Sequence, residues 1–358
     1  MNKENIIKLS LDRLLPKNAS VLVGFSGGVD SVVLLTMLKK YRPDLNLFAA
    51  HVNHMLRDDA ISDAQFCENF CEENNVAYVV TNENVKKYCL DNKLGTEEGA
   101  RILRHQFFKD WMYLKKIDFL CLGHHKNDRA ETVILNFLRG SGIHGLSSMR
   151  ESEKNIIRPL LDLKKSDILE VASRNNLKWV EDHTNHENDY DRNWLRNDII
   201  PQLETRRKGV VDVLSRNAKQ FEMVSDYISK EAEKFILLNY KENKNFSKST
   251  FINIESYKDV HPALQNEILR KLYTIINGSG AKFSGKIIKE VNKWLQSHPK
   301  NGGSMSFFSG VRLINKNGEL GVDMPDEALF KVRSFIENHK KENIENYSNE
   351  EGKSSFAL

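Results

Sequence analysis

No apolar run in the chain approaches bilayer length. The N-terminal stretch, MNKENIIKLSLDRLL, is amphipathic and too polar for a secretory signal. These two absences predict a soluble cytoplasmic protein with no membrane partner. The four cysteines, Cys67, Cys71, Cys89 and Cys121, form no CxxC pair and read as reduced or buried thiols. A net charge of only +4 over 358 residues excludes a polycation, so contact with nucleic acid must come from local patches. There is no internal repeat, and no low-complexity block before the C-terminal tail. Two phosphate-binding signatures are also missing. No Gly-Lys-Ser/Thr closes a glycine loop, and no GxGxxG follows a strand.

What remains is long enough for two domains, and 40% apolar residues supply a sizeable core. The first domain is organised around VLVGFSGGVDSVVLLTML at 21–38, which reads as strand, glycine turn and helix. Apolar strands follow at 47–52, 77–81, 117–122 and 156–158. They alternate with helices at 58–74, opened by Asp58-Asp59, and at 96–115, with Thr96 as N-cap. A short helix at 3–15 leads in. Strands without polar alternation, separated by helices, predict an α/β fold with a doubly wound parallel sheet. This domain is expected over 1–205, then a basic helical linker over 206–245. A smaller, mostly helical domain follows over 246–323, with strand-like segments around an Asn317-Gly318 turn. Residues 324–358 read as a polar, partly disordered tail.

Three unusual motifs end strands: Ser26-Gly27-Gly28-Val29-Asp30-Ser31, HVNHMLR at 51–57 and GHHKNDRAET at 123–132. Ligands in such sheets sit outside the carboxyl ends of the strands, so the three motifs predict one site. Adjacent glycines let backbone approach a ligand, and a helix N-terminus attracts anions. Ser26 and Ser31 add hydroxyls. Asp30 would repel phosphate alone, and makes sense beside a divalent cation or an ammonium group. Asp128 and Glu131 fall on one helix face and suit Mg²⁺ or an ammonium head, the alternative being a solvated face. His51 and His54 lack zinc spacing and read as groove-lining. Arg101 and Arg104 suit phosphate or carboxylate, or else pair with helix acids. Arg192 and Arg196, at i and i+4, carry the same choice. LRGSGIHGL at 138–146 has more glycine than a helix C-cap needs and predicts a loop at the nucleotide or a partner.

The pattern SGGxDS at 26–31 resembles the PP-loop of ATP pyrophosphatases, which cut ATP between the α- and β-phosphates and adenylate a substrate. Other motifs narrow the resemblance: HVNHMLR, EEGARILRH at 97–105, GHHKNDRAET, LRGSGIHGLSSM at 138–149, RPLL at 158–161, DHTN at 182–185 and YDRNWLRNDIIP at 190–201. With these the chain resembles the tRNA(Ile)-lysidine synthetases nearly continuously over residues 1–201. The resemblance implies ATP as substrate, Mg²⁺, free L-lysine and a CAU-anticodon isoleucine tRNA, with a homodimer allowed. The wobble cytidine would be adenylated at O2, and the lysine ε-amine would then expel AMP. Ser26, Gly27, Gly28, Asp30 and Ser31, with His51 and Asn53, would serve ATP, and Asp30 the metal. Asp128 and Glu131 would take the lysine ammonium. Arg104 and Arg196 would serve the nucleotide, the lysine carboxylate or the activated cytidine. His124, His125, Gly140, Gly142 and Arg192 would meet the substrates, and residues 246–323 the tRNA.

The chain departs from that family in having Asn127 for an Asp and His183 for a Pro. Asn127 lowers the negative charge beside the expected metal. Longer members carry a further C-terminal domain with no full copy here, so acceptor-stem recognition by such a domain is not expected. Among alternatives, a PP-loop thiolase needs suitably placed cysteines, which Cys67-x-x-x-Cys71 does not supply. NAD and GMP synthetases would lack HVNHMLR and GSGIHGL. A non-catalytic nucleotide- or RNA-binding module would not need both Asp30 and Asp128.

Overall fold

The computed structural model describes residues 2–55, 60–147, 149–181, 191–239, 241–242, 249–278, 285–297, 303–308, 310–316, 319–323 and 325–350. The expected Asp58-Asp59 helix start, the DHTN motif with His183, the Asn317-Gly318 turn and the end of the tail lie outside these residues.

The chain divides into two compact units, Met1–Glu222 and Met223–Leu358. The first contains α1 (Lys3–Leu14), β1 (Ser20–Gly24), α2 (Val29–Tyr41), β2 (Asn46–Asn53), α3 (Ala60–Glu73), β3 (Ala77–Asn82), α4 (Val85–Asn92) and α5 (Thr96–Lys115). It continues with β4 (Phe119–Cys121), α6 (Lys126–Leu138), α7 (Ile143–Leu146), β5 (Ser152–Glu153), β6 (Ile156–Ile157), α8 (Lys165–Arg174) and α9 (Asp191–Trp194). A π-helical turn at Leu195–Ile199 leads into α10 (Ile200–Arg206) and α11 (Val210–Asn239), and the division between units falls within α11.

The sheet order is β3-β2-β1-β4-β6-β5, all parallel except the edge strand β5. This is the expected doubly wound α/β sheet, and its strand order reverses at β1, between β2 and β4. The centre of β1, Val21–Val23, is apolar and buried because both its faces are covered. Val21 and Val23 pack with α1, α2 and α8, whereas Leu22 packs with Phe108 and Met112 of α5. Burying each such side chain contributes roughly 1.5–3 kcal/mol, which makes β1 and α2 a firm platform for the turn between them.

One local expectation is corrected. Thr96 is the first helical residue of α5, and Gly95, in extended conformation without a side-chain cap, holds the N-cap position. The helices α4 and α8 and the edge strand β5 carry no motif that the sequence pattern singled out, whereas β6 falls within the strand expected at 156–158.

In the second unit, α12 (Ile254–Asp259), α13 (Pro262–Asn277), α14 (Gly285–Ser297) and α15 (Asp326–Glu350) accompany a five-stranded antiparallel sheet. Its strands are β7 (Lys241–Glu242), β8 (Ser249–Asn253), β9 (Gly303–Phe308), β10 (Val311–Lys316) and β11 (Glu319–Asp323), in the order β7-β8-β11-β10-β9. The core joins Ile268, Leu269 and Leu272 of α13 to Val291 of α14, Leu313 of β10 and Val332 of α15. Among the described residues no helix is long and apolar enough to cross a membrane.

Candidate active site

The turn between β1 and α2 is built on Gly27, whose φ of +80° lies in the left-handed region that glycine alone adopts freely. A β-carbon there would also press within 3.0 Å of the Cys67 sulfur. Gly28 is the N-cap of α2 and has no side chain to occupy the helix end. The first-turn N–H groups of α2 have no intrahelical acceptor and are available to an anion. Two hydroxyls brace the turn. Ser31 Oγ donates to the Gly28 carbonyl at 2.9 Å and accepts from the Ser26 N–H at 3.2 Å. Ser26 Oγ lies 3.3 Å from Ser31 Oγ.

β4 ends beside this turn. A β-carbon on Gly123 would lie 3.1 Å from the Asp30 carbonyl carbon and 3.2 Å from the Ser31 nitrogen. Backbone cannot swing aside, so only glycine lets the β4 end approach the first turn of α2 this closely. Gly123→Ala is therefore expected to cost about 1–3 kcal/mol through overpacking and to weaken ATP binding, as read by thermal denaturation with and without ATP. An unchanged midpoint and an unchanged ATP-induced shift would remove Gly123 from this role.

That approach creates a continuous string of charged and polar groups. Lys165 Nζ contacts the Asp30 carboxylate oxygens at 2.9 and 2.8 Å. Asp30 Oδ1 lies 3.7 Å from His125 Nε2, and His125 Nδ1 lies 3.5 Å from Asp128 Oδ2. Asp128 also accepts the His125 N–H at 2.9 Å, which closes the capping box that starts α6. Arg196 bridges both acids, reaching Asp128 Oδ1 at 3.1 Å and the two oxygens of Glu131 at 2.8 and 3.0 Å. Arg192 donates to Glu131 Oε2 at 3.2 Å and to Thr132 Oγ1 at 3.0 Å. It ends the string at Glu97 of α5, 3.8 Å away. Glu131 is fully buried. The two arginines reach it together although α-helix gives way to a π-turn between them.

Burial works to raise the Asp128 pKa, but the His125 side chain and N–H and Arg196 together hold the carboxyl below its ordinary value. Arg196 is also desolvated, yet its bonds to Glu131 and the charges of Asp128 and Asp30 hold its pKa above the ordinary value. Arg104 faces the opposite balance. Burial, with Arg101 and Arg192 nearby, pushes its pKa down, and among the described residues it makes no hydrogen bond or ion pair. His54, pushed down to about 4 by burial and by Arg104 and His51, has a buried Nδ1 without a partner. A desolvated guanidinium and an unpaired ring nitrogen together suit an anionic ligand.

The other expected residues are placed as follows. His51, at the end of β2, lies beneath the turn, with Nδ1 2.9 Å from the Phe25 carbonyl. Asn53 accepts the Met55 N–H at 2.9 Å. Both are buried. Gly140 is left-handed (φ +70°) and directly follows the C-cap of α6, which a C-capping glycine requires. Gly145 packs so tightly on Ser141 that a β-carbon would overlap it, so two glycines of this loop serve its own folding. Gly142 starts α7 in open space. Arg139, at the base of the loop, pairs with Asp191 of α9 at 3.6 Å.

One contributor, Lys165, had no signal in the sequence pattern, and Asn127 takes a role other than the one its position suggested. Lys165 is the first residue of α8, and only the tertiary fold brings it to Asp30. Asn127 Oδ1 accepts the Lys165 N–H at 3.1 Å. Asn127 thus caps α8 and aims Lys165, a bond that the amide oxygen makes as an aspartate would. The four cysteines are buried. Burial pushes the Cys67 thiol up and the Cys71 thiol up to about 12, so neither supplies a thiolate.

A family model described as a PP-loop domain matches residues 3–203. The tRNA(Ile)-lysidine synthase of Clostridioides difficile is 31% identical over 356 residues, covering 94% of this chain and 74% of that protein. The tRNA(Ile)-lysidine synthase of Pseudothermotoga lettingae is 38% identical over 217 residues, covering 60% of this chain and 48% of that protein. Among solved structures, the U34-tRNA thiolase NcsA from Methanococcus maripaludis with its 4Fe-4S cluster is similar in fold. Its TM-score is 0.53 at 23% identity, covering 62% of this chain and 78% of that chain.

Proposed function

This chain belongs to the tRNA(Ile)-lysidine synthases, ATP-dependent ligases built on a PP-loop domain, and we propose that the crevice between β1 and β4 carries both halves of lysidine formation. The carrying observation is the run of side chains from Asp30 through His125, Asp128 and Arg196 to Glu131, each within 3.7 Å of the next. It supports reading the Ser26–Ser31 turn and the acid pair as parts of one site. ATP lies with its phosphates on the Ser26–Ser31 turn. Cytidine O2 attacks the α-phosphorus, the bond to the β-phosphate oxygen breaks, and pyrophosphate leaves. The ε-amine of free lysine then attacks C2 of the cytidine. The C2–O2 bond breaks, AMP departs with that oxygen, and the amine loses its proton. O2 is a poor leaving group until AMP is attached to it, which is why ATP is consumed first.

Asp30 is the residue that would hold Mg²⁺. Among the described residues no group of three or more His, Cys, Asp or Glu forms a metal cage. A single carboxylate fits Mg²⁺, which takes one or two carboxylates with the remaining positions from phosphate and water. Bound there, the ion would neutralise charge on the reacting phosphates. A cation arriving at Asp30 must replace the Lys165 ammonium, and the phosphates are the anions that can accept it. Asp128 and Glu131 receive the lysine ammonium and position the amine. Arg104 and Arg196 meet anionic groups of the nucleotide or of lysine.

The test is incubation with ATP, Mg²⁺, labelled lysine and a CAU-anticodon isoleucine transcript, followed by nuclease digestion. An ATP-dependent lysine–cytidine adduct is expected. Its absence, from folded protein that binds the transcript, would sink the proposal.

A further inference from the structure

RPLL at 158–161 is the one motif whose chemistry the site so far leaves unused. Arg158 directly follows β6, and the parallel pairing of Ile157 with Cys121 on β4 sets it beside His124. Its Nε donates to His124 Nδ1 at 3.3 Å, and its Nη1 donates to the Arg150 carbonyl at 2.8 Å. The side chain is buried. A guanidinium carries donors only, so the nitrogen that it faces must be the acceptor. A neutral imidazole that accepts at Nδ1 carries its proton at Nε2. We propose that Arg158 is a positioning residue that locks His124 in the neutral Nε2–H tautomer, making it a hydrogen-bond donor to the anionic oxygens that develop during adenylation. This deepens the reading of the crevice as the ATP and cytidine site and rests on it.

The surroundings support a neutral ring. Burial pushes the His124 pKa down to about 3. Asp128 on α6 works against this, while Arg158 beside β6, Arg192 on α9 and Arg104 on α5 work with it. Among the described residues Nδ1 is the only ring atom of His124 with a hydrogen bond, so Nε2–H has no acceptor among them and can donate to a ligand. A neutral donor keeps its proton and stabilises growing negative charge without first having to be protonated. The wrong tautomer would place a lone pair against that charge.

The experiment reads the tautomer directly, by ¹⁵N NMR of ring-labelled histidine in the full chain without substrates, with His124→Gln to assign its signals. Wild type should show unprotonated Nδ1 and protonated Nε2 at neutral pH. Arg158→Met should yield a mixture of tautomers, and Arg158→Lys, which still only donates, should largely restore the wild-type signal. Pyrophosphate exchange should fall about tenfold to a hundredfold in Arg158→Met, mainly in kcat. In the His124→Gln background, whose amide can donate without a tautomer to select, the same change should cost no more than about threefold, far below that range. An Nδ1–H or imidazolium signal in wild type would overturn the tautomer lock. Equal cost of Arg158→Met in both backgrounds would show that Arg158 only braces the Arg150 segment. The NMR arm needs no lysidine activity, so its failure is distinguishable from failure of the functional reading.

Discussion

Asp30→Ala is expected to leave a folded protein that still binds ATP but releases pyrophosphate at least ~10³-fold more slowly, because removal of preorganised charge stabilisation costs a few kcal/mol of barrier. The sign of the binding effect follows from the geometry. Asp30 stands in the first turn of α2, where negative charge opposes phosphate, and its counter-charge is Lys165 at 2.8–2.9 Å. Removing the carboxylate frees an ammonium beside a helix N-terminus, so ATP affinity should hold or rise while kcat collapses. Lys165→Met should do the reverse, raising KM for ATP with a smaller loss in kcat. If Asp30 served only to anchor Lys165, the two variants would behave alike. Adenylation by Asp30→Ala within tenfold of wild type would remove Asp30 from the chemistry. Pyrophosphate release measured against ATP and Mg²⁺ concentration separates these outcomes.

The parts of this site that can be read from the sequence are those whose geometry is local. The spacing of Ser26, Gly27, Gly28 and Ser31 fixes the turn, because a strand, a left-handed glycine and a helix N-terminus are all decided within a few residues. Asp128 and Glu131 follow from helical periodicity, and the arginines at 192 and 196 from an i, i+4 offset that survives the π-turn. The pairing across these motifs was not legible. Arg196 meets Glu131 across 65 residues of chain, and Lys165 meets Asp30 across 135. Spacing carries no signal for a contact made by sheet topology. Arg158 and His124 meet because β6 pairs with β4: the strand at 156–158 is legible in the sequence, but its place beside β4 in the sheet is not. Gly123 opens a motif that the sequence singles out, but its own role follows from the Asp30 backbone that the fold sets against it, which no local pattern encodes. Thr96 shows the opposite error. A good capping residue was present, but the helix began one residue earlier than its hydroxyl suggested. In the 138–146 loop, part of the glycine content that suggested ligand contact is spent on the C-cap of α6 and on close packing at Gly145.

Glu131 provides the complementary result. Glu131→Gln should adenylate tRNA at a rate within about tenfold of wild type, yet form lysidine about 10³-fold more slowly, corresponding to ~4 kcal/mol. Adenylated tRNA should therefore accumulate. The buried carboxylate holds two guanidiniums, Arg196 on both oxygens and Arg192 on one. A lysine ammonium entering here competes with groups of its own sign, so it binds only where carboxylate charge exceeds what the arginines neutralise. Asp128, shared with Arg196 at 3.1 Å, supplies the second negative charge. Neutralising Glu131 leaves two arginines facing one acid, and the pocket then repels the ammonium it should hold. The glutamine keeps the shape and one acceptor oxygen, which makes it the informative substitution. Glu131→Ala would instead empty a fully buried position and take from two half-buried guanidiniums the carboxylate they share, leaving Arg196 with Asp128 and Arg192 with Thr132 and Glu97, so lost stability would be confused with lost chemistry. A raised KM for lysine in Glu131→Gln, with pyrophosphate release intact, is the signature of a nucleophile site. Blocked pyrophosphate release with an intact lysine step would move Glu131 to the activating half instead, and leave the ammonium to Asp128 alone.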